Sequence, residues 1–213
     1  LDAVVAAYGK RPVERTMKAE VLLNAMKDGQ AALIKAGTIE LKLTPKASEY
    51  TPIYYLVGAL QGWDNQAKTC MFYPQSQTVQ TYTTQWTGDG NLKIWDENNF
   101  GDWNNTIGAA TDGDNAASGK LVTSNAGAIV CPEKGAFYTL KVDFETMSYT
   151  WTKLENQTPK EFEKIGLIGG FNEWGGDENM TATAPHNWTA EVTFAADTEV
   201  KFRANGGWDD NWG

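Results

Sequence analysis

From Ile53 onward, apolar and polar positions alternate in short segments separated by Gly, Asn and Asp. Six such segments stand out: "IYYLVGAL", "TYTTQWT", "NLKIWD", "GAIVC", "FYTLKVDF" and "SYTWTKL". A period of two over a few residues, bounded by turn-forming residues, is typical of β-strands. Many short strands at this spacing predict an all-β fold, a sandwich or a barrel.

Residues 1–49 have a different pattern. Alternation in "TMKAEVLL" and "TIELKLTP" predicts two strands, although Ala and Met give the middle of the region a helical alternative. Two or three strands cannot close a core alone. We therefore interpret residues 1–49 as the C-terminal part of a domain that begins outside this sequence, with a boundary at "TPKASEYTP".

Three further local expectations concern the region after residue 80. The segment "KVDFETMSYTW" predicts a hairpin with "DFETM" at its turn. The Gly-, Ala-, Asp- and Asn-rich stretch "TIGAATDGDNAASGKLVTSNAG" predicts an irregular loop. Trp86 and Trp151 lie within strand patterns, so we expect both in the core.

An internal repeat divides the rest of the chain. "IYYLVGALQGWDN" matches "IGLIGGFNEWGGD", and "NLKIWDENNFGDWN" matches "EVKFRANGGWDDNW". The spacings agree, because Trp103 follows Trp63 by 40 residues and Trp212 follows Trp174 by 38. The repeat predicts tandem β-sandwich modules at 50–157 and 160–213, the second truncated to its N-terminal half.

Charge and composition narrow the classes of partner. The net charge is −9 and no Lys/Arg-rich run occurs, so neither nucleic acid nor anionic lipid is an expected partner. A single histidine excludes His-based metal clusters and most Ser-His-Asp triads. Cys70 and Cys131 form no CxxC motif, and both a disulfide and two buried thiols remain open.

Aromatic and polar residues recur at corresponding positions of the two copies. The candidate site comprises Trp63, Lys93, Trp95, Trp103, Trp174, Lys201, Arg203, Trp208 and Trp212. Strand alternation places Lys93 and Trp95 on the outer face of their strand. Alternation also places Lys201 and Arg203 on the outer face of their strand, and it directs Phe202 to the core. We therefore expect exposed indoles beside cationic and amide groups.

A sugar ring suits such a surface. An indole can cover its apolar C–H face, while Lys, Arg, Asn and Asp can bond the hydroxyl groups that burial would leave unpaired. Two indoles set at an angle would favour a curved glucan over a flat one. Asp209, Asp210 and the "DGDN" at 112–115 cluster oxygen atoms without EF-hand spacing, so we expect no metal ion and no other cofactor.

The turn "GGFNEW" resembles the V/I-G-x-F-N-x-W signature of starch- and glycogen-binding β-sandwich modules. The whole arrangement resembles the SusE/SusF-type cell-surface starch-binding lipoproteins of Bacteroidetes. The resemblance implies that residues 1–49, including "YGKRP", are the last part of an Ig-like domain, and that tandem starch-binding modules follow it. It also implies starch or maltooligosaccharide as the ligand, other surface glycan-uptake proteins as partners, and an outer-membrane location through a lipid anchor outside this chain.

The resemblance also implies a role for each site residue. The roles are platform tryptophans (Trp63 and Trp174), hydroxyl-binding residues (Lys93, and Lys201 or Arg203) and second aromatics (Trp103, and Trp212 or Trp208). The first copy departs from the pattern, with "ALQGW" in place of "GFNEW" and Trp95 in the place of Arg203.

Other interpretations remain open at this stage. The turn indoles could fold back onto the sandwich, and the loop indoles could plug it. Exposed tryptophans are also typical of protein interfaces, so a structural or protein-interaction sandwich is the alternative function. Glycoside hydrolysis requires two carboxylates flanking a cleft, and no such pair repeats in a buried apolar setting. We expect a binding protein and not an enzyme.

Overall fold

The structure is a computed structural model that describes residues 14–28, 30–44, 51–194 and 198–213. The chain divides into two units, Leu1–Tyr50 and Thr51–Gly213. The regular secondary structure of the described residues consists of β-strands and short 3₁₀ turns. No helix long and apolar enough to span a membrane is found in that part of the chain. The predicted all-β class is confirmed.

The first unit contains one antiparallel hairpin. Its strands are β1 (Arg15–Lys27) and β2 (Gln30–Leu43), with a bulge between Val21 and Leu22. Both strands predicted in this region are present, and the helical alternative for its middle is wrong. The "YGKRP" stretch that the resemblance assigns to an Ig-like domain lies outside the described residues.

The first copy of the repeat contributes nine strands to the second unit. They are β3 (Tyr54–Gly58), β4 (Tyr73–Pro74), β5 (Val79–Gln85), β6 (Asn91–Asp96), β7 (Gly108–Ala109), β8 (Ser118–Val122), β9 (Ile129–Val130), β10 (Phe137–Asp143) and β11 (Ser148–Lys153). One sheet has the order β3-β6-β9, and the other has the order β4-β5-β10-β11-β8-β7. The predicted hairpin is β10–β11.

A single hydrophobic core lies between these two sheets. Leu56 from the three-stranded sheet and Leu140 from the six-stranded sheet are both buried in it. Trp86 and Trp151 are buried as predicted and meet edge to face, with ring centroids 4.6 Å apart. Trp86 Nε1 donates a hydrogen bond to the Tyr138 carbonyl oxygen at 3.0 Å. The first copy is therefore a two-layer sandwich.

The predicted loop over residues 106–127 contains two strands, β7 and β8. β8 pairs with β11, and β7 pairs with β8 at the end of the six-stranded sheet. A Cβ atom on Gly119 would lie only 2.7 Å from the Tyr149 ring, so this strand needs a small residue there. The glycine content of this stretch therefore reflects close packing as well as turns.

The described residues of the second copy form six strands. They are β12 (Ile165–Gly169), β13 (Glu178–Asn179), β14 (Thr181–Ala184), β15 (Asn187–Thr189), β16 (Val200–Ala204) and β17 (Asn211–Trp212). Four form a sheet of order β13-β12-β16-β17, and β14 pairs only with β15. Phe202, which alternation directs to a core, is partly exposed instead. It lines a recess together with Trp188 and Trp212.

The β14–β15 hairpin joins the two copies within the second unit. The Thr84 hydroxyl donates to the Pro185 carbonyl oxygen at 2.7 Å, and Asn187 Nδ2 donates to the Thr83 carbonyl oxygen at 3.0 Å. Both bonds place the hairpin against β5 of the first sandwich. The two copies are therefore in direct contact.

Both cysteines are free thiols and buried. Cys131 lies at the edge of the first sandwich core, where burial raises its pKa to about 11. Burial also raises the pKa of Cys70. Of the two states that the sequence left open, the structure contains buried thiols.

Candidate functional site: a duplicated pair of exposed indoles

Trp63 and Trp174 occupy the same strained turn. After β3 and after β12 the chain makes one 3₁₀ turn, and it then places Trp63 at φ 60° and Trp174 at φ 59°. The Trp63 N–H donates to the Gly58 carbonyl oxygen, and the Trp174 N–H donates to that of Gly169, each at 2.9 Å. A bulky residue in the left-handed region is rare, and such strain clusters at functional sites.

The glycine before each turn is required by close backbone approach. A Cβ atom on Gly58 would lie 2.2 Å from the Asn91 carbonyl oxygen, and one on Gly169 would lie 2.2 Å from the Glu199 carbonyl oxygen. No side chain fits at such a distance. The glycine of the turn signature therefore lets the neighbouring strand pass directly beside the turn.

Trp63 and Trp174 each face a second indole at nearly the same distance and angle. The ring centroids of Trp63 and Trp103 are 6.2 Å apart with the planes inclined by 39°. Those of Trp174 and Trp208 are 6.3 Å apart with the planes inclined by 36°. The exposed fractions of the four side chains lie between 37% and 50%. Two copies with different loop sequences thus build the same open, tilted pair.

Trp212 does not take part in the second pair. Its ring meets that of Phe162 at 5.5 Å, edge to face, and both line a recess with Phe202. The resemblance offers Trp212 or Trp208 as the second aromatic of this copy. In the structure it is Trp208 that lies next to Trp174.

Trp95 is fully buried, so the expectation of an exposed indole at this position is wrong. It does lie on the side of β6 opposite the sandwich core, but the following loop covers it. Its ring packs 4.6 Å from that of Trp103 and 5.0 Å from that of Phe100, and its Nε1 donates to the Asp102 carbonyl oxygen at 2.8 Å. Trp95 therefore supports the exposed Trp103 from below.

Arg203 occupies the corresponding place in the second copy. Trp95 pairs with the third residue before Gly58, and Arg203 pairs with the third residue before Gly169. The Arg203 guanidinium carbon lies 4.6 Å from the centroid of Trp208, a cation–π contact. Its Nε bonds Asp177 Oδ1 at 2.6 Å, and both side chains are largely buried. The structure therefore gives Arg203 a supporting contact beneath Trp208.

A polar recess adjoins the first pair. Its volume is about 250 Å³, and its lining includes Lys93, Trp103, Asn104, Ser124 and Asn125. The lysine and the amides supply donors and acceptors beside an exposed indole face. Sequence reasoning identified Lys93 but missed the loop at 123–126. The sequence given ends before a matching stretch of the second copy, so the repeat offered no signal for it.

The second pair has its own polar neighbours. Lys201 Nζ donates to Asn211 Oδ1 at 3.2 Å, and Asn211 Nδ2 donates to the Trp208 carbonyl oxygen at 2.8 Å. These bonds connect the cation to the backbone that carries the second indole. Lys201 and Trp208 are thus brought together as the sequence analysis expected for a cation and an aromatic.

A carboxylate caps the turn that carries Trp103. Asp102 Oδ1 accepts from the Asn104 N–H at 2.9 Å, and Asp102 Oδ2 accepts from Asn105 Nδ2 at 2.7 Å. These two bonds lower the pKa of Asp102 from its ordinary value. In the part of the chain that the structure describes, no group of three or more His, Cys, Asp or Glu side chains converges as a metal site would require.

Comparisons with known proteins agree with the resemblance. Residues 49–153 match the family model described as "SusF, first starch specific CBM", a carbohydrate-binding module. The outer membrane protein SusF of Bacteroides thetaiotaomicron is 27% identical over 229 residues, an alignment that covers 100% of this chain and 47% of that protein. The crystal structure of the same protein matches at a TM-score of 0.44 and 21% identity, over 100% of this chain and 50% of that one.

The chain thus spans about half the length of the relatives that it matches. The predicted resemblance to the SusE/SusF type is confirmed by the family and sequence matches. The matched family is one of binding modules, in agreement with the expectation of a non-enzymatic chain.

Proposed function

On the basis of its resemblance to SusE/SusF-type starch-binding proteins, we propose that the chain binds starch-type α-glucan without cleaving it. Each copy of the repeat contributes one site, at Trp63 and Trp103 in the first and at Trp174 and Trp208 in the second. The observation that carries the proposal is the reproduction of one tilted, exposed indole pair by two different loop sequences. The family match to a starch-specific module supports the choice of ligand.

The tilt of the indoles is the feature that selects a curved chain. Two planes inclined by 39° and 36° can each contact a glucose ring only if the two rings are themselves inclined. A helical α-glucan meets that condition, whereas a flat β-linked chain does not. Every 40 Å² of apolar surface covered contributes roughly 1 kcal/mol.

Polar groups beside the indoles complete each site. In the first copy Lys93, Asn104 and Asn125 border the recess next to Trp103 and can bond sugar hydroxyls. In the second copy Lys201 lies beside the indole-bearing loop. Each site is shallow, so its own affinity is low, and two sites on one polymer raise the overall retention through effective concentration.

The proposed cellular location rests on the similarity to SusF and not on the geometry of the site. SusF is named an outer membrane protein, and we propose the outer-membrane surface for this chain as well. There it would hold polysaccharide near other surface glycan-uptake proteins, attached by a lipid anchor outside the sequence given.

Native electrophoresis through gels containing soluble starch tests the proposal. We expect Trp63→Ala and Trp174→Ala each to reduce retention and the double variant to lose most of it, because each change removes one indole platform. Trp212→Ala is the control, since this indole is equally exposed but lies outside both pairs. Circular dichroism verifies the fold of each variant.

Three outcomes would contradict the proposal. Wild-type retention in the folded double variant would show that the indole pairs do not bind starch. Equal loss of retention in Trp212→Ala would show that any exposed indole suffices, which favours the protein-interaction alternative. Release of reducing sugar by the wild-type protein would contradict binding without cleavage.

A further inference from the structure

A second kind of recess lies where the two copies meet. Two adjoining hollows of about 300 and 210 Å³ are bordered by the β4–β5 edge of the first sandwich and by β15 of the second copy. They share four lining residues: Met71, Tyr73, Tyr82 and Asn187. We refer to them together as the junction groove. The larger hollow is at the lower end of the size range of ligand pockets, roughly 300–1,000 Å³.

The groove is held open by hydrogen bonds between the copies. Both amide hydrogens of Asn187 are used, one by the Thr83 carbonyl oxygen at 3.0 Å and one by the Pro185 carbonyl oxygen at 2.9 Å. The Asn187 side chain can therefore offer only its oxygen atom to a ligand. Because these bonds fix β15 against β5, the groove is formed before any ligand arrives.

The lining of the groove contains no charged side chain. Tyr73 stands at its edge with 69% of its surface exposed, and Trp188 lies half-buried across from it. Between them lie amide and hydroxyl groups, including those of Gln75, Thr81 and Thr189. An uncharged wall excludes phosphate, nucleic acid and charged peptides as favoured ligands. Flat rings beside hydroxyl-bonding groups suit a neutral sugar.

An unpaired polar atom marks the base of the groove. Tyr82 is 4% exposed and lines both hollows. In the described part of the chain its hydroxyl group has no partner with the distance and angle of a hydrogen bond, although the Cys70 thiol and the Thr183 side chain lie near enough to affect its pKa. A buried hydroxyl group without a partner is destabilising. A sugar hydroxyl entering the groove would supply that partner.

We propose that the junction groove is a third saccharide site. It binds a glucose unit of the same glucan at the place where the two copies that carry the indole pairs meet. Tyr73 stacks on the sugar ring, the Tyr82 hydroxyl bonds a sugar hydroxyl, and the Asn187 oxygen accepts from another. The ligand class of this site rests on the proposed function, but the site itself shares no residue with either indole pair.

Fluorine NMR of protein labelled with 3-fluorotyrosine tests the groove directly. The chain has eight tyrosines, so the spectrum is simple, and Tyr73→Phe and Tyr82→Phe assign the two signals. The titration uses maltoheptaose and the Trp63→Ala/Trp174→Ala variant, in which the indole platforms are removed. We expect the Tyr73 and Tyr82 signals to shift and saturate together.

Affinity for the groove is then compared between variants in the same background. Tyr73→Ala is expected to weaken binding about tenfold, and Tyr82→Phe about two- to tenfold, the loss of one neutral hydrogen bond. Tyr138→Phe is the control, because Tyr138 is a buried tyrosine of the same core outside the groove. The Tyr138→Phe protein should bind maltoheptaose with the same affinity as the background protein.

The outcomes separate the two proposals. If the Tyr73 and Tyr82 signals stay unchanged at high maltoheptaose while starch retention by the wild type depends on the indole pairs, the groove proposal is overturned alone. If both signals shift but the indole variants retain starch as the wild type does, the groove stands and the proposed function of the pairs fails.

Discussion

Trp95 and Arg203 show how two different side chains can perform one supporting role. Each lies beneath the second indole of its copy, and each is centred 4.6 Å from that indole ring. Trp95 is fixed by its bond to the Asp102 carbonyl oxygen, and Arg203 is fixed by its ion pair with Asp177. The exposed indole is thus held in place by different chemistry at the same distance.

Breaking the ion pair beneath Trp208 should destabilise the second copy. Arg203→Ala leaves the Asp177 carboxylate, only 9% exposed, without its cation, and we expect the free energy of unfolding to fall by about 3–5 kcal/mol. Urea unfolding followed by tryptophan fluorescence measures the change. Asp177→Asn/Arg203→Met is the control, since it leaves no unpaired charge and should lose less than Arg203→Ala. A larger loss of unfolding free energy in the double variant than in Arg203→Ala would contradict the account.

At the scale of single residues, strand alternation could predict which side of a strand a residue takes but not whether that side is covered. Lys93 and Trp95 do share one side of β6, yet a loop hides the indole and leaves the lysine half-exposed. The path of that loop depends on contacts with Phe100 and Asp102, which no periodicity encodes.

Among the structural elements, the 3₁₀ turn Trp103–Asn105 depends most on one charge. Asp102 accepts two hydrogen bonds that hold this turn, and the bonds lower its pKa. A group whose pKa is lower in the folded than in the unfolded chain stabilises the fold at pH above its unfolded value. That stabilisation is lost as the pH falls through the folded value.

Glucan binding by the first copy should therefore weaken in acid. In a Trp174→Ala background, we expect affinity for maltoheptaose to be constant above about pH 5 and to fall as the pH drops below about 4, near and under the unfolded pKa of aspartate. Calorimetric titration across this range measures it. Asp102→Asn should bind more weakly than its parent at pH 7 and lose the acid dependence. An unchanged acid dependence in Asp102→Asn would contradict the role of the cap.

The sequence predicted most of the elements around the indole turns because their alternation is regular. It missed β7 and β8, since the strand that passes over the Tyr149 ring requires glycine at position 119, and a glycine-rich stretch is typical of loops. The recess at residues 123–126 was missed for a different reason, because the repeat offered no matching stretch in the sequence given.

At the scale of the whole molecule, the repeat could be predicted from the sequence, but the contact between its two copies could not. Matching of "IGLIGGFNEW" to "IYYLVGALQGW" predicted equivalent turns, and the two indole pairs agree within 0.1 Å and 3°. The β14–β15 hairpin instead packs on the first sandwich through Thr84 and Asn187. Such a contact joins residues about a hundred positions apart, beyond any local pattern.

The most direct test of the account is a crystal structure of the chain with maltoheptaose bound. The account predicts glucose rings stacked against Trp63 and Trp103 and against Trp174 and Trp208, with their hydroxyl groups within 3.5 Å of Lys93 and Lys201, roughly the limit of a hydrogen bond. Maltoheptaose that occupies the crystal elsewhere while all four indole faces remain uncovered would contradict it.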